Sequence, residues 1–349
     1  MPSESAAVAP NPGRTCPVHY RYAPNEFSEA SVIEADTVYV AGGLYGNLEA
    51  LDALEQLAAR DARAGQRVAV IFNGDFHWFD AEPEWFSLVN ARVFEWCPML
   101  GNVEAELGSP ASRADCGCAY PDYVSDAVVT HSNAIIERLH EIAPPAERAQ
   151  LTTLPKVLAA QVGGERIVAV HGDTESLAGW QFAAEHLAAE DAPLRRRLGV
   201  MEPPTSWASL STAFRVTDAR VIASAHTCLP CASRLTVDGE PRALFNNGAA
   251  GMPNFEGTHY GIATRISAGN EVPTASLYGF RLGPLRCDAV RLDYDQTAWL
   301  DRFLARWPQG SSAHTSYFRR LCDGPAYRLD EAVQNAGLHT HASLSEVQP

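Results

Sequence analysis

Apolar residues in this chain fall in short blocks, and several blocks end in the same way, on glycine or on a polar side chain. "TVYVAGG" (37–43) is a β-branched and aromatic run that stops at paired glycines, the pattern of a buried strand. In "LEALDALEQLAARDARAG" the leucines recur at helical spacing, with Asn47 placed to cap this helix and Gly65 to end it. "RVAVIFNGD" (67–75) reads as a second strand, followed by a helix over 83–97 and the brief strand-like "PMLGN". The strand-then-polar syntax returns in "RIVAVHGD" (166–173), "RVIASAHT" (220–227) and "RALFNNG" (242–248), with helices predicted near 180–198 and 205–215. After 250, "HYGIATRIS", "ASLYGFRL" and "CDAVRLDYD" read as successive strands and "QTAWLDRFLARW" as a closing helix.

Alternating strands and helices early, with a strand-rich second half, predict a layered α/β protein with a mixed sheet or two stacked sheets. Residues 1–30 are rich in Pro, Ala and Ser and read as a flexible extension, whose end Tyr20, Tyr22 and Phe27 are positioned to anchor. The body is expected over 31–310. Within it, 105–165 turns irregular around a helical "AVVTHSNAIIERLHEIA" and reads as an insertion or cap, while 311–349 reads as a C-terminal extension with His339 and His341 in a solvated polar tail.

Composition narrows the function classes. With 46% hydrophobic and 20% charged residues over 349 positions there is ample material for a core. Lys plus Arg number 27 against 42 Asp plus Glu, a formal charge of -15, which opposes binding to nucleic acid or anionic lipid. No apolar run is long enough to span a bilayer, and the start lacks the basic and apolar regions of a secretion signal, so the expected location is cytoplasmic. The eight cysteines are then expected as reduced thiols.

Two tempting motifs lose on their context. "VAGGLYGN" lacks the G-x-G-x-x-G spacing of a dinucleotide loop. Cys228-Leu-Pro-Cys231 has the spacing of a redox dithiol, yet "CASRLTVDG" after it reads as turn and strand, where a redox motif would continue into a helix. What remains is a set of polar residues at strand ends: Asp75, Asn102, His171 and His226, with glycine-rich loops after Gly43 and Gly248. Open α/β sheets bind ligands outside the carboxyl edge, and all four residues are expected along the edge of one layer. One carboxylate, one carboxamide and two imidazoles suit Mn, Fe or Zn.

In order and context, "NGDFHWFD", "LGNVEAEL", "VHGD", "AHTCLP" and "NNGAAGMP" resemble the successive blocks of the calcineurin-like metallophosphoesterases, over roughly residues 37–265. The resemblance implies a four-layer αββα sandwich of two mixed β-sheets flanked by helices. It also implies metal-dependent hydrolysis of a small phosphorylated compound by an activated water, with one or two divalent or trivalent ions per chain. Carried over by position, Asp75 is the carboxylate that bridges two metals, and Asn102, His171 and His226 complete one of the two sites. The other site draws on an Asp, a His and a final His, where this chain has Gly43, Tyr45 and Cys228. Tyr45 and Cys228 are therefore candidates for a rebuilt second site, since a cation can ionise a phenol or a thiol.

Val103 stands where the family has the histidine that assists the leaving group, and a valine carries no proton. His77, two residues beyond Asp75, is the nearest substitute, and with Asn102 completes the expected catalytic pair. Two other outcomes follow from the departures: a noncatalytic ligand-binding or scaffold protein on the same fold, or a metalloenzyme whose altered site serves non-phosphoryl hydrolysis or redox chemistry.

Overall fold

In a computed structural model, residues 12–109 and 115–334 are described. The extreme ends of both predicted extensions, His339 and His341 among them, and part of the predicted insertion lie outside these residues.

The chain runs β1 (Val32–Ala35), β2 (Thr37–Ala41), α1 (Leu48–Arg63), β3 (Val68–Phe72), α2 (Pro83–Val93), β4 (Cys97–Pro98) and α3 (Asn102–Gly108). It continues through α4 (Asp126–Ile142), α5 (Pro145–Leu151), β5 (Leu158–Val162), β6 (Glu165–Ala169), α6 (Ala184–Leu187), α7 (Pro193–Leu198) and α8 (Trp207–Thr217). The rest is β7 (Val221–Ser224), β8 (Cys231–Val237), β9 (Glu240–Asn246), β10 (Gly261–Ala268), β11 (Ser276–Leu282), β12 (Leu285–Leu292), α9 (Gln296–Arg306), α10 (Ser312–Asp323) and β13 (Val333–Gln334).

Two mixed sheets result. One has seven strands in the order β1-β5-β6-β7-β9-β8-β13, the other six in the order β11-β12-β10-β2-β3-β4. Alternation along the strands explains the layering. Val38 and Val40 of β2 and Ile71 of β3 join the core shared with Val168, Ile222 and Leu244 of the seven-stranded sheet. Their neighbours Tyr39, Ala41, Val70 and Phe72 point the other way, onto Leu51 and Leu54 of α1 and Trp299 and Phe303 of α9. On the far side, Leu210 and Phe214 of α8 cover the seven-stranded sheet. Each large apolar side chain buried here contributes roughly 1.5–3 kcal/mol. The architecture is a four-layer αββα sandwich.

Several boundaries differ from the sequence reading. The helix expected over 180–198 is two short ones, because Pro193 cannot continue a helix begun upstream and instead opens α7. β5, which falls within the stretch 105–165, pairs with both β1 and β6 and belongs to the seven-stranded sheet. The start is held from residue 12 onward: Arg14 donates to the Pro121 and Val124 carbonyls, and Tyr20 is fully buried, donating to Glu106 at 2.5 Å. No helix among the described residues is long and apolar enough to cross a membrane, and all eight cysteines are free.

Candidate functional site

Asp75 follows β3 and Asn102 opens α3 just past β4, both from the six-stranded sheet, whereas His171 and His226 follow β6 and β7 of the seven-stranded one. The expectation of a single layer is thus corrected. The four residues meet where the edges of two stacked sheets come together, since β2 and β3 stack over β6 and β7 through the shared core.

Backbone carbonyls set the hydrogen-bond roles of three of them. His171 Nδ1 lies 2.7 Å from the Asn73 carbonyl, so that nitrogen carries the proton and Nε2 is left with a lone pair. His226 Nε2 lies 3.0 Å from the Cys118 carbonyl, which leaves Nδ1 as its acceptor. Asn102 Nδ2 donates to the Cys116 carbonyl at 2.8 Å, turning Oδ1 the other way. The freed atoms face one another: His171 Nε2 is 3.0 Å from Asn102 Oδ1, 3.2 Å from His226 Nδ1 and 3.3 Å from Asp75 Oδ1. One ligand atom each of Asp75, His171 and His226 lies within 4.8 Å of the others.

Four acceptors facing one another repel unless positive charge sits among them. A proton on His171 relieves one pair; a metal ion relieves all four. Metal–ligand bonds of about 2.1 Å put neighbouring donors roughly 3.0–3.4 Å apart in octahedral to tetrahedral geometry, so the spacing fits a transition metal or zinc. Charges follow the same logic. Burial opposes ionisation of Asp75, but His171 and His226 beside it hold its carboxyl below the usual range. Burial also opposes a charge on His171, and Asp75 overcomes it and raises that imidazole. His226, buried and next to His171, is pushed down to about 3 and stays neutral, as a ligand must.

Asp75 has a left-handed backbone, φ 56°, a conformation costing roughly 1–2 kcal/mol in most residues. Glu104 holds it there. Its buried carboxylate accepts the N–H groups of Asp75 at 2.7 Å, Phe76 at 3.0 Å, His77 at 3.2 Å and Gly101 at 3.0 Å. Burial, with the Asp75 charge nearby, pushes Glu104 up to about 7 against those donors. The Val103 N–H then fixes Asp75 Oδ1 at 3.1 Å. A Cβ on Gly101 would lie 2.3 Å from that oxygen, so any side chain there would displace the carboxylate.

On the other side of Asp75 the arrangement changes. Tyr45 Oη and Cys228 Sγ are 2.8 Å apart, each in a left-handed backbone conformation, φ 55° and 62°. Burial first, then the neighbouring Cys228 and Asp75, raise the Tyr45 phenol well above its ordinary value, and burial likewise raises the Cys228 thiol. Both remain protonated. A Cβ on Gly43 would lie 2.7 Å from the Tyr45 hydroxyl and Cζ, so the phenol occupies the space a side chain at 43 would need.

His77 lies elsewhere. It is fully buried, Nδ1 bonded to Asp80 Oδ2 at 2.5 Å and its ring stacked on Phe86 at 3.6 Å, and it does not line the cavity that opens over Asp75. The expected proton donor is corrected to a side chain packed in the core, turned away by the aromatic residues flanking it.

That cavity, of about 260 Å³, is lined by Asp75, Asn102, Val103, Tyr45, Cys228 and His226, and by residues sequence reading missed: Trp78, Tyr120, Trp180, Tyr317 and Arg320. Tyr317 and Arg320 stand three residues apart on α10, one face of a helix in the stretch taken for an extension. Arg320 donates to the Cys228 carbonyl at 2.9 Å and the Pro253 carbonyl at 3.3 Å, which anchors its guanidinium at the cavity.

No protein-family model matches the chain, and no curated protein matches it. Among solved structures it is similar to a hypothetical protein from Pyrococcus horikoshii OT3, with 15% identity and a TM-score of 0.53 over 84% of this chain and 100% of that one. It is also similar to a metallophosphoesterase from Sphaerobacter thermophilus, with 17% identity and a TM-score of 0.49 over 83% of this chain and 100% of that one. The fold of the chain is thus shared with the Pyrococcus horikoshii protein, and its two stacked mixed sheets flanked by helices are the sandwich expected from the sequence.

Proposed function

We propose that this protein is a metal-dependent phosphoesterase that hydrolyses a small phosphorylated compound, with one cation held by Asp75, Asn102, His171 and His226. The observation that carries this reading is the convergence of four acceptor atoms, three oriented by carbonyls outside the cluster and Asp75 Oδ1 by the Val103 N–H. The nitrogen and oxygen donors suit Mn, Fe or Zn. A cation bound there would supply Lewis-acid polarisation of a phosphoryl oxygen and lower the pKa of water.

The chain's own groups do the rest. Arg320 offers a fixed positive charge to phosphoryl oxygens in the same cavity. The volume of about 260 Å³ favours a small substrate over a protein or a polynucleotide. Val103 is buried and gives no proton to a departing alkoxide, and His77 is turned away from the cavity. Leaving groups that depart without a proton are therefore favoured.

The Tyr45–Cys228 contact and Val103 together favour a second reading, a noncatalytic protein that keeps the cation and binds a phosphorylated ligand. Metal analysis of protein purified without added metal, followed by a phosphoester screen, separates the two. We expect about one ion per chain. Aryl esters and anhydrides should be hydrolysed about 10²- to 10⁴-fold faster than alkyl monoesters, the range that general acid assistance covers, and a chelator should abolish turnover. Bound metal with no turnover on any phosphoester would favour the second reading.

A further inference from the structure

Besides Arg320 and the acceptor cluster, the cavity wall holds Thr227 and Ser316, three valines and a group of aromatic rings. Trp180, Tyr120 and Tyr317 each remain partly exposed at it. The polar atoms of two of them are used by the protein itself. Trp180 Nε1 donates to the Cys118 carbonyl at 3.0 Å, and the Tyr120 hydroxyl pairs with Ser132 Oγ at 2.9 Å. What Trp180 and Tyr120 have left to offer a ligand is apolar surface, to which Tyr317 adds a third ring.

The rings also stand next to the acceptor cluster. Trp180 meets the His226 ring edge-on at 5.4 Å between centroids and lies 5.9 Å from Tyr120. Tyr317 is edge-on to Trp78 at 6.4 Å and projects from the same helix face as Arg320. At these separations the rings pack against one another and hold each other in place, so that their exposed faces and edges form a fixed part of the cavity wall. Exposed apolar surface of this kind, continuous with a polar anchor, is how small-ligand sites combine affinity with orientation.

We propose that the ligand of this cavity carries a planar aromatic group directly beside its phosphoryl group, seated among Trp180, Tyr120 and Tyr317 while the phosphoryl end faces Arg320 and His226. The proposal deepens the reading of the same site as a phosphoryl-binding centre and does not need hydrolysis to hold. A single ring with a phosphoryl group matches a cavity of about 260 Å³, whereas a long acyl chain or a polymer does not.

Turnover alone would not test this, because aryl esters also have better leaving groups. Phosphonates, whose carbon–phosphorus bond does not hydrolyse, remove that ambiguity. With the full chain loaded with manganese, calorimetry should give phenylphosphonate a Kd about tenfold or more below that of methylphosphonate, the range expected for aromatic contacts with their buried area. Trp180→Leu and, on a separate element, Tyr317→Leu should each shrink that ratio several-fold, and Trp180→Phe should keep most of it. Equal affinity for the two phosphonates, no binding of either, or a ratio indifferent to both leucine substitutions would overturn the proposal. A preserved ring preference in a protein that hydrolyses nothing would remove the phosphoesterase reading and leave this one standing.

Discussion

On one side of the Asp75 carboxylate, Asn102, His171 and His226 turn acceptor atoms toward a common point; on the other, Tyr45 and Cys228 turn a phenol and a thiol toward each other. Both groups are built of residue types able to bind metal, but their electrostatics are opposite. In the first, with the imidazoles neutral, the N–H groups are committed outward to carbonyls and to Cys118 Sγ, so the inward atoms have lone pairs and no donor. In the second, each group is donor and acceptor at once, and the pair satisfies itself. Binding a cation there would mean removing protons that burial holds on firmly. Cation affinity follows from unsatisfied lone pairs in place before the ion arrives, more than from the number of potential ligands.

The largest effect that can break this comparison is expected from Asp75→Asn. It keeps the shape and removes the only negative charge among the four acceptors, so metal content by elemental analysis should fall from about one ion per chain to near zero, with the fold retained by circular dichroism. Unchanged metal content would put the cation elsewhere.

A gain of metal would sharpen it. Gly43→Asp alone is expected to destabilise without adding an ion, since its Cβ would lie 2.7 Å from the Tyr45 ring and hydroxyl. Combined with Tyr45→His and Cys228→His, which remove the phenol and supply acceptors, it should raise stoichiometry from about one ion to two. If the triple variant folds and still holds one, the Tyr45–Cys228 contact is not what limits the second half.

The smallest effect is expected from Tyr45→Phe. One neutral hydrogen bond is lost, worth about 0.5–1.5 kcal/mol in a chemical denaturation experiment, and metal content should not move. A fall in bound metal would make Tyr45 a ligand and erase the contrast.

How much of this was legible in the sequence depends on the range of the interaction responsible. The strand over "TVYVA" and the capped helix after Asn47 are written locally: alternation sends Val38 and Val40 to one face and Tyr39 and Ala41 to the other, and the Asn47 side chain accepts the Ala50 N–H at 3.0 Å. Asp75, Asn102, His171 and His226 stood out as polar residues closing apolar runs, and their order carried the family resemblance. The helix near 180–198 was misjudged because apolar content alone does not register a proline that restarts the chain.

Residue type and local order thus determined the strands, the helix caps and the residues with metal-binding chemistry, because period-2 alternation and capping act over a few positions. Only the tertiary structure decided which sheet each of the four comes from, that His77 packs on Phe86 away from the cavity, and that Tyr317 and Arg320 of α10 wall it. It also decided which nitrogen of each imidazole is free, since the carbonyls of Asn73 and Cys118 that set this lie 98 and 108 residues away in the chain. Contacts over such separations leave no periodic trace in the sequence; they arise when buried faces stack and the backbone groups at their edges find partners.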